Sequence, residues 1–120
     1  MKKALVIGVG PLNGLGAQLA KKIAKNNFEV FVAGRTKSSL NAVVDSIFKD
    51  GNKANAVVVD TTNENEVKAM MNSVGPGLDF AIYNVGNNRP GKILDMEPNY
   101  FKESWETCCF GGFLFSIYSY

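Results

Sequence analysis

The sequence predicts an α/β fold, a doubly wound parallel β-sheet with helices on both faces. Three observations carry it. Short apolar runs rich in Val, Ile and Ala alternate with longer runs whose apolar residues recur at helical spacing. Gly, Pro, Asn and Asp mark the changes from one kind of run to the other. A glycine-rich turn carrying Gly8, Gly10, Gly14 and Gly16 joins the first strand to the first helix.

Residues 3–9 (Lys-Ala-Leu-Val-Ile-Gly-Val) read as a buried strand. Leu15, Leu19 and Ile23 then recur every fourth position, with Ala20 and Ala24 beside them, as one apolar helix face. Lys21, Lys22 and Lys25 lie towards that helix's C-terminus, where cations suit its dipole. Residues 29–33 read as the second strand. Leu40, Val43, Val44, Ile47 and Phe48 follow at helical steps until Asp50-Gly51 stops them. Residues 54–59 are the third strand, and Thr61 with Glu64 has the spacing of a capping box ahead of Val67, Met70, Met71 and Val74. Gly75-Pro76-Gly77 ends that helix, and residues 78–85 form the fourth strand. After a loop at residues 86–91, Pro98 opens a last helix with Phe101, Trp105, Cys108, Cys109 and Gly112 on one side. The expected order is βαβαβαβα, about four strands and four helices, in one domain over residues 1–120.

Composition narrows the function. Apolar residues make up 46% and charged residues 20%, enough for a globular core. The net charge is only +2 and the lysines are scattered, which argues against nucleic acid or a membrane surface as partner. There is no histidine, so the commonest general base and metal ligand is missing, and no metal site is expected. Cys108 and Cys109 are adjacent and cannot staple the fold, so they read as free thiols in a reducing compartment. The apolar run after Lys2-Lys3 is broken by Gly8 and Gly10, and the aromatic tail at residues 110–120 is shorter than the roughly 18 residues of a membrane span. A cytoplasmic protein is expected.

The turn Gly8-Val9-Gly10-Pro11-Leu12-Asn13-Gly14-Leu15-Gly16 has a physical reading. Glycines allow a sharp turn, a close approach of backbone to a pyrophosphate, and a helix that starts tight against the strand. The helix's free N–H groups then meet the phosphates. A tight turn with no ligand is the competing reading. Gly10-x-x-x-Gly14-x-Gly16 resembles the glycine motif of the short-chain dehydrogenases/reductases, with Val9 where that family has Thr. The resemblance implies a truncated Rossmann-like fold and a nicotinamide dinucleotide on Gly10, Asn13, Gly14, Leu15 and Gly16.

At the end of the second strand, NAD-binding domains carry an acid for the ribose 2′-hydroxyl. Here Ala33-Gly34-Arg35-Thr36-Lys37 has none, and a guanidinium would attract a 2′-phosphate. Arg35 and Thr36 therefore point to NADP(H) over NAD(H), and the absent acid speaks against a methyltransferase. Asp60 and Thr61 follow the third strand. In the resembled family Asp60 would meet the adenine; it could equally cap a helix. Tyr83-Asn84-Val85-Gly86 resembles the family's Asn-Asn-Ala-Gly, matching at Asn84 and Gly86. There an Asn can tie neighbouring strands and Gly can admit the cofactor ribose, with Val85 between them.

The family's chemistry is hydride transfer with a carbonyl or alcohol, using a Ser, a Tyr-x-x-x-Lys pair and a helical Asn. None of Tyr83, Tyr100, Tyr118 or Tyr120 has a Lys four residues on. Cys108 aligns with the helical Asn and is expected to be a buried packing thiol. No catalytic residue is assigned. Three readings follow: the cofactor-binding front part of an NADP(H)-dependent oxidoreductase, cut short of its catalytic portion; a non-catalytic nucleotide-binding module; and an interaction subunit that pairs through the aromatic fourth helix (Phe110, Phe113, Phe115, Tyr118, Tyr120) as a homo-oligomer. An open edge at the fourth strand would favour marginal stability and self-association.

Overall fold

The computed structural model describes residues 1–119; Tyr120 lies outside the described residues. Four parallel strands stand in the order β3-β2-β1-β4: β1 (Lys2–Ile7), β2 (Phe28–Gly34), β3 (Ala54–Val58) and β4 (Phe80–Tyr83). In register, Ala4 of β1 faces Val30 of β2 on one side and Phe80 of β4 on the other. Between successive strands run α1 (Leu15–Lys25), α2 (Lys37–Lys49) and α3 (Glu64–Val74). The expected α/β class, parallel sheet and element order are all present, and β4 lies at the sheet edge.

The alternation of side chains along β1 and β2 splits the core into two layers. Ala4, Val6, Val30 and Val32 pack with Ala17, Ala20 and Ala24 of α1 and Leu40, Val43 and Ile47 of α2. Leu5, Ile7, Phe31 and Ala33 pack on the other face with Val67, Met70 and Val74 of α3, and with Leu114 and Phe115. Covered on both faces over Ala4–Ile7 and Val30–Gly34, the two central strands carry no charged residue there, and those runs stand out in the sequence.

Three expectations need correcting. The face of α1 is made of Gly16, Ala17, Ala20 and Ala24, while Leu15 is 65% exposed. Small residues win because α1 lies too close to the strand backbone for leucine. The cap of α3 is Asn63, whose side chain accepts from the Glu66 N–H at 3.1 Å, while Glu66 Oε1 accepts from the Asp60 N–H. Thr61 is buried and its hydroxyl is engaged elsewhere.

The third correction concerns the last helix. It is continuous but built in three pieces: α4 (Pro98–Ser104), a π-helical turn at Trp105–Phe110, and α5 (Gly111–Ser119). A short 3₁₀ turn at Ile93–Asp95 precedes it. The buried residues are Gly111, Leu114 and Phe115, with Phe110 and Tyr118 half-buried against the α3 layer. Phe101, Trp105, Cys108 and Cys109 are exposed, so Cys108 is not a packing thiol. The π turn widens the repeat, and a face drawn at ordinary α-helical spacing drifts off the core. Among the described residues no helix is long and apolar enough to cross a membrane.

Asn63→Ala leaves the Glu66 N–H without its side-chain acceptor. It is expected to destabilise the protein by about 1 kcal/mol in urea titration, with Glu64→Ala far milder. Equal losses from both would return the cap to the Thr61–Glu64 box.

Candidate cofactor-binding site

In a sheet of this order, β2 and β4 lie on opposite sides of β1, so the connections leave in opposite directions and open a crevice at the strand carboxyl ends. A cleft of about 650 Å³ lies there. It is lined by the ends of all four strands and by one side of the fourth helix.

The glycine turn forms its floor. The N–H groups of Gly8 and Val9 both donate to the Ala33 carbonyl, at 3.0 and 3.1 Å, folding the turn back onto β2. Gly8 has φ +96°, and a Cβ there would overlap the Asn84 carbonyl. A Cβ on Gly16 would overlap the Gly8 carbonyl, so α1 starts in contact with the end of β1. Gly10 is different. It lines the cleft, and no heavy atom lies within 4 Å of where its Cβ would stand. Gly86, also on the cleft, is equally open. The protein's own packing explains Gly8 and Gly16; it does not explain Gly10 and Gly86.

The start of α1 is left unsatisfied. Gly14 is the N-cap, has no side chain to offer, and no acid occupies the first turn. The Gly14 N–H donates to Pro11 O at 2.8 Å and Gln18 N–H to Gly14 O, but the N–H groups of Leu15, Gly16 and Ala17 find no backbone acceptor among the described residues. Such a helix end favours an anion. Asn13, Gly14, Leu15 and Gly16 belong to this supporting turn and are not among the residues lining the cleft. Gly10, Arg35, Thr36, Asp60, Thr61, Asn84, Val85 and Gly86 are.

Arg35 and Thr36, both exposed, follow β2 on the cleft wall; Thr36 also serves as the N-cap position of α2. Asp60 does not cap α3. Its Oδ1 accepts the Thr62 hydroxyl at 2.7 Å and the Thr62 N–H at 2.9 Å. These bonds hold its carboxyl below the usual 3.8, burial works against them, and the charge of Arg35 adds a smaller push downward. The stabilisation is therefore complete above the ordinary carboxylate range and fades only as pH falls through the lower folded value.

Asn84 joins two strand ends: its N–H donates to Ile7 O at 2.8 Å and its Nδ2 to Gly8 O at 3.3 Å. The following loop is clamped by Tyr100, whose ring lies 4.6 Å under the Arg89 guanidinium and whose hydroxyl accepts the Arg89 N–H. Tyr83 points the other way, under the fourth helix. Its hydroxyl donates to Thr107 O at 2.6 Å and sits 3.2 Å from the Thr61 hydroxyl, which donates to it in turn. Burial pushes the phenol's pKa up.

Sequence reasoning missed one wall of the cleft, Glu103, Glu106 and Thr107. Their 3–4 spacing was the available signal, a polar edge on an otherwise apolar helix. Among the described residues, no three His, Cys, Asp or Glu side chains gather to hold a metal ion.

A family model described as short chain dehydrogenase matches residues 2–117. An uncharacterized oxidoreductase of Mycobacterium tuberculosis is 35% identical over 97 residues, covering 78% of this chain and 36% of that protein. Another, from Staphylococcus aureus, is 31% identical over 109 residues, covering 88% of this chain and 44% of its own. The crystal structure of a short-chain dehydrogenase from Rhodopseudomonas palustris superposes with a TM-score of 0.86 at 33% identity, over 98% of this chain and 56% of that one. The chain thus spans less than half the length of these two curated relatives. With the family model matched almost end to end on a parallel sheet of this order, the chain belongs to the short-chain dehydrogenase family of oxidoreductases.

Proposed function

We propose that this chain is the dinucleotide-binding part of a short-chain dehydrogenase/reductase and that it takes NADP(H) in preference to NAD(H). The observation that carries the reading is the cleft wall after β2, where Arg35 stands and no carboxylate does. The open ground at Gly10 and Gly86 and the unpaired N–H groups of Leu15, Gly16 and Ala17 suit a pyrophosphate. Asn13 and Gly14 hold that turn. Arg35, with Thr36 beside it, binds the ribose 2′-phosphate as a charge-assisted contact. Asp60 and Thr61 receive the adenine, and Asn84, Val85 and Gly86 the adjoining ribose. Bound there, the nicotinamide ring supplies or accepts a hydride. The small carbonyl or alcohol substrate belongs to the whole protein, because no Tyr-x-x-x-Lys pair occurs in these 120 residues. The exposed, unpaired thiols of Cys108 and Cys109 suit a reducing cytoplasm.

A second reading, self-association, has its own observation. Phe101, Trp105, Phe113 and Ile117 lie exposed along the fourth helix, from 47% to 71%. A patch of this kind seeks cover, and we assign it to contact between copies of the chain.

Calorimetric titration tests the cofactor site. NADPH should bind saturably and more tightly than NADH; equal affinity would remove the NADP(H) preference, and no binding by folded protein would remove the site. Arg35→Ala should weaken NADPH roughly tenfold or more and leave NADH nearly unchanged. Gly10→Ala should weaken both while the melting temperature holds, since its methyl meets no protein atom. Sedimentation should show association that rises with concentration and is lost in Phe113→Glu. A monomer at all concentrations would dismiss the self-contact.

A further inference from the structure

The π turn of the fourth helix has an identifiable cause. In an α-helix the Gly111 N–H would bond the carbonyl four residues back, that of Thr107. Here it bonds the carbonyl of Glu106 instead, five residues back. The skipped Thr107 carbonyl is taken by the Tyr83 hydroxyl at 2.6 Å. Two further features fit the phenol to this place. Gly111 has no Cβ, and one would overlap the Tyr83 hydroxyl. The Tyr83 ring stacks on Phe115 of α5, centroids 5.4 Å apart.

A π turn is one extra residue in the helical repeat, a phase change of roughly 100° between the segments it joins. Glu103 just before it, and Glu106 and Thr107 in its first half, line the cleft. Beyond it, Leu114 and Phe115 are buried in the α3 layer. A continuous α-helix could not keep both faces where they are.

We propose that Tyr83 is a positioning residue: its hydroxyl, by capturing the Thr107 carbonyl, holds the fourth helix in the π register that keeps Glu106 and Thr107 on the cleft while Leu114 and Phe115 stay in the core. Without that hydroxyl, Thr107 O is free for the Gly111 N–H, the turn closes to α, and the phase shift is lost. The cleft end of the helix gives way, because the core end is anchored by buried Leu114 and Phe115. The effect on cofactor affinity rests on the dinucleotide site proposed above; the effect on helix register does not.

Tyr83→Phe keeps the ring and removes only the oxygen. Through-hydrogen-bond couplings in NMR spectra report which carbonyl the Gly111 amide uses. In the parent chain it should be Glu106, and in Tyr83→Phe it should move to Thr107, with NADPH affinity down roughly tenfold. Deleting Cys109 in the Tyr83→Phe background removes the extra residue and should restore the affinity, because a plain α-helix then spans the same phase. If Tyr83→Phe alone does not fold, recovery of folding by the same deletion carries the proposal. A Gly111–Glu106 coupling that survives in Tyr83→Phe, or a deletion that restores nothing, overturns it. A parent chain that binds no NADPH but shows the carbonyl exchange would instead remove the cofactor site and leave the register mechanism standing.

Discussion

The turn that leaves β1 packs against two backbones at once. On one side the Cα of Gly8 lies so near the Asn84 carbonyl that no side chain fits; on the other, its own carbonyl lies equally close to Gly16. This three-way backbone contact ties β1, β4 and α1 together at the carboxyl edge of the sheet. Much else follows from it. With α1 starting so close to the strand, its buried face must be Ala17, Ala20 and Ala24 rather than leucine. The N–H groups of its first turn arrive at the strand end with no side-chain cap. The Asn84 amide, donating to the Gly8 carbonyl, closes the same junction from the β4 side.

The parts legible in the sequence were those where one local rule dominates. The stretches of β1 and β2 that are buried on both faces, Ala4–Ile7 and Val30–Ala33, could only be unbroken apolar runs. Their limits were harder to read. Val9 is buried but lies beyond β1, because the turn itself packs against the core. The glycine turn and Asn84 were visible because close backbone approach at Gly8 and Gly16, and the bond from Asn84 to the Gly8 carbonyl, restrict residue type at those places. The face of α1 was misread for the reverse reason. Alanine gives a weak hydrophobic signal, yet it is the residue a tightly packed helix requires. The Asn63 cap was hidden behind Thr61, which has the right chemistry at a nearby position and is used for a different bond.

The spacing of Glu103, Glu106 and Thr107 marks a polar edge, but where that edge points depends on a turn that no local propensity announces. The last piece of the fourth helix, α5, is apolar almost all round, the pattern of a helix covered on every side. Only the side carrying Leu114 and Phe115 is covered within the described residues. Periodicity therefore could not choose the inner face. The choice is made by tertiary contacts, namely the Tyr83 hydroxyl, the bare Cα of Gly111 and the floor of α3 beneath them.

The charges around the cleft raise a further question, since Asp60, Glu103 and Glu106 share its lining with Arg35. An acid that paired with Arg35 would cancel the attraction for an anion. For Asp60, the Arg35 charge is a small downward push on the carboxyl, and its Oδ1 is already occupied by the hydroxyl and N–H of Thr62. The guanidinium acts on it only through its charge, as the least of the influences on its titration, with no hydrogen bond between them. A carboxylate satisfied by its own turn can stay ionised without drawing in the arginine. Arg35 therefore stays on the cleft wall without a hydrogen bond to Asp60, and the Asx turn at Asp60–Thr62 is as much a part of the proposed anion site as the arginine itself.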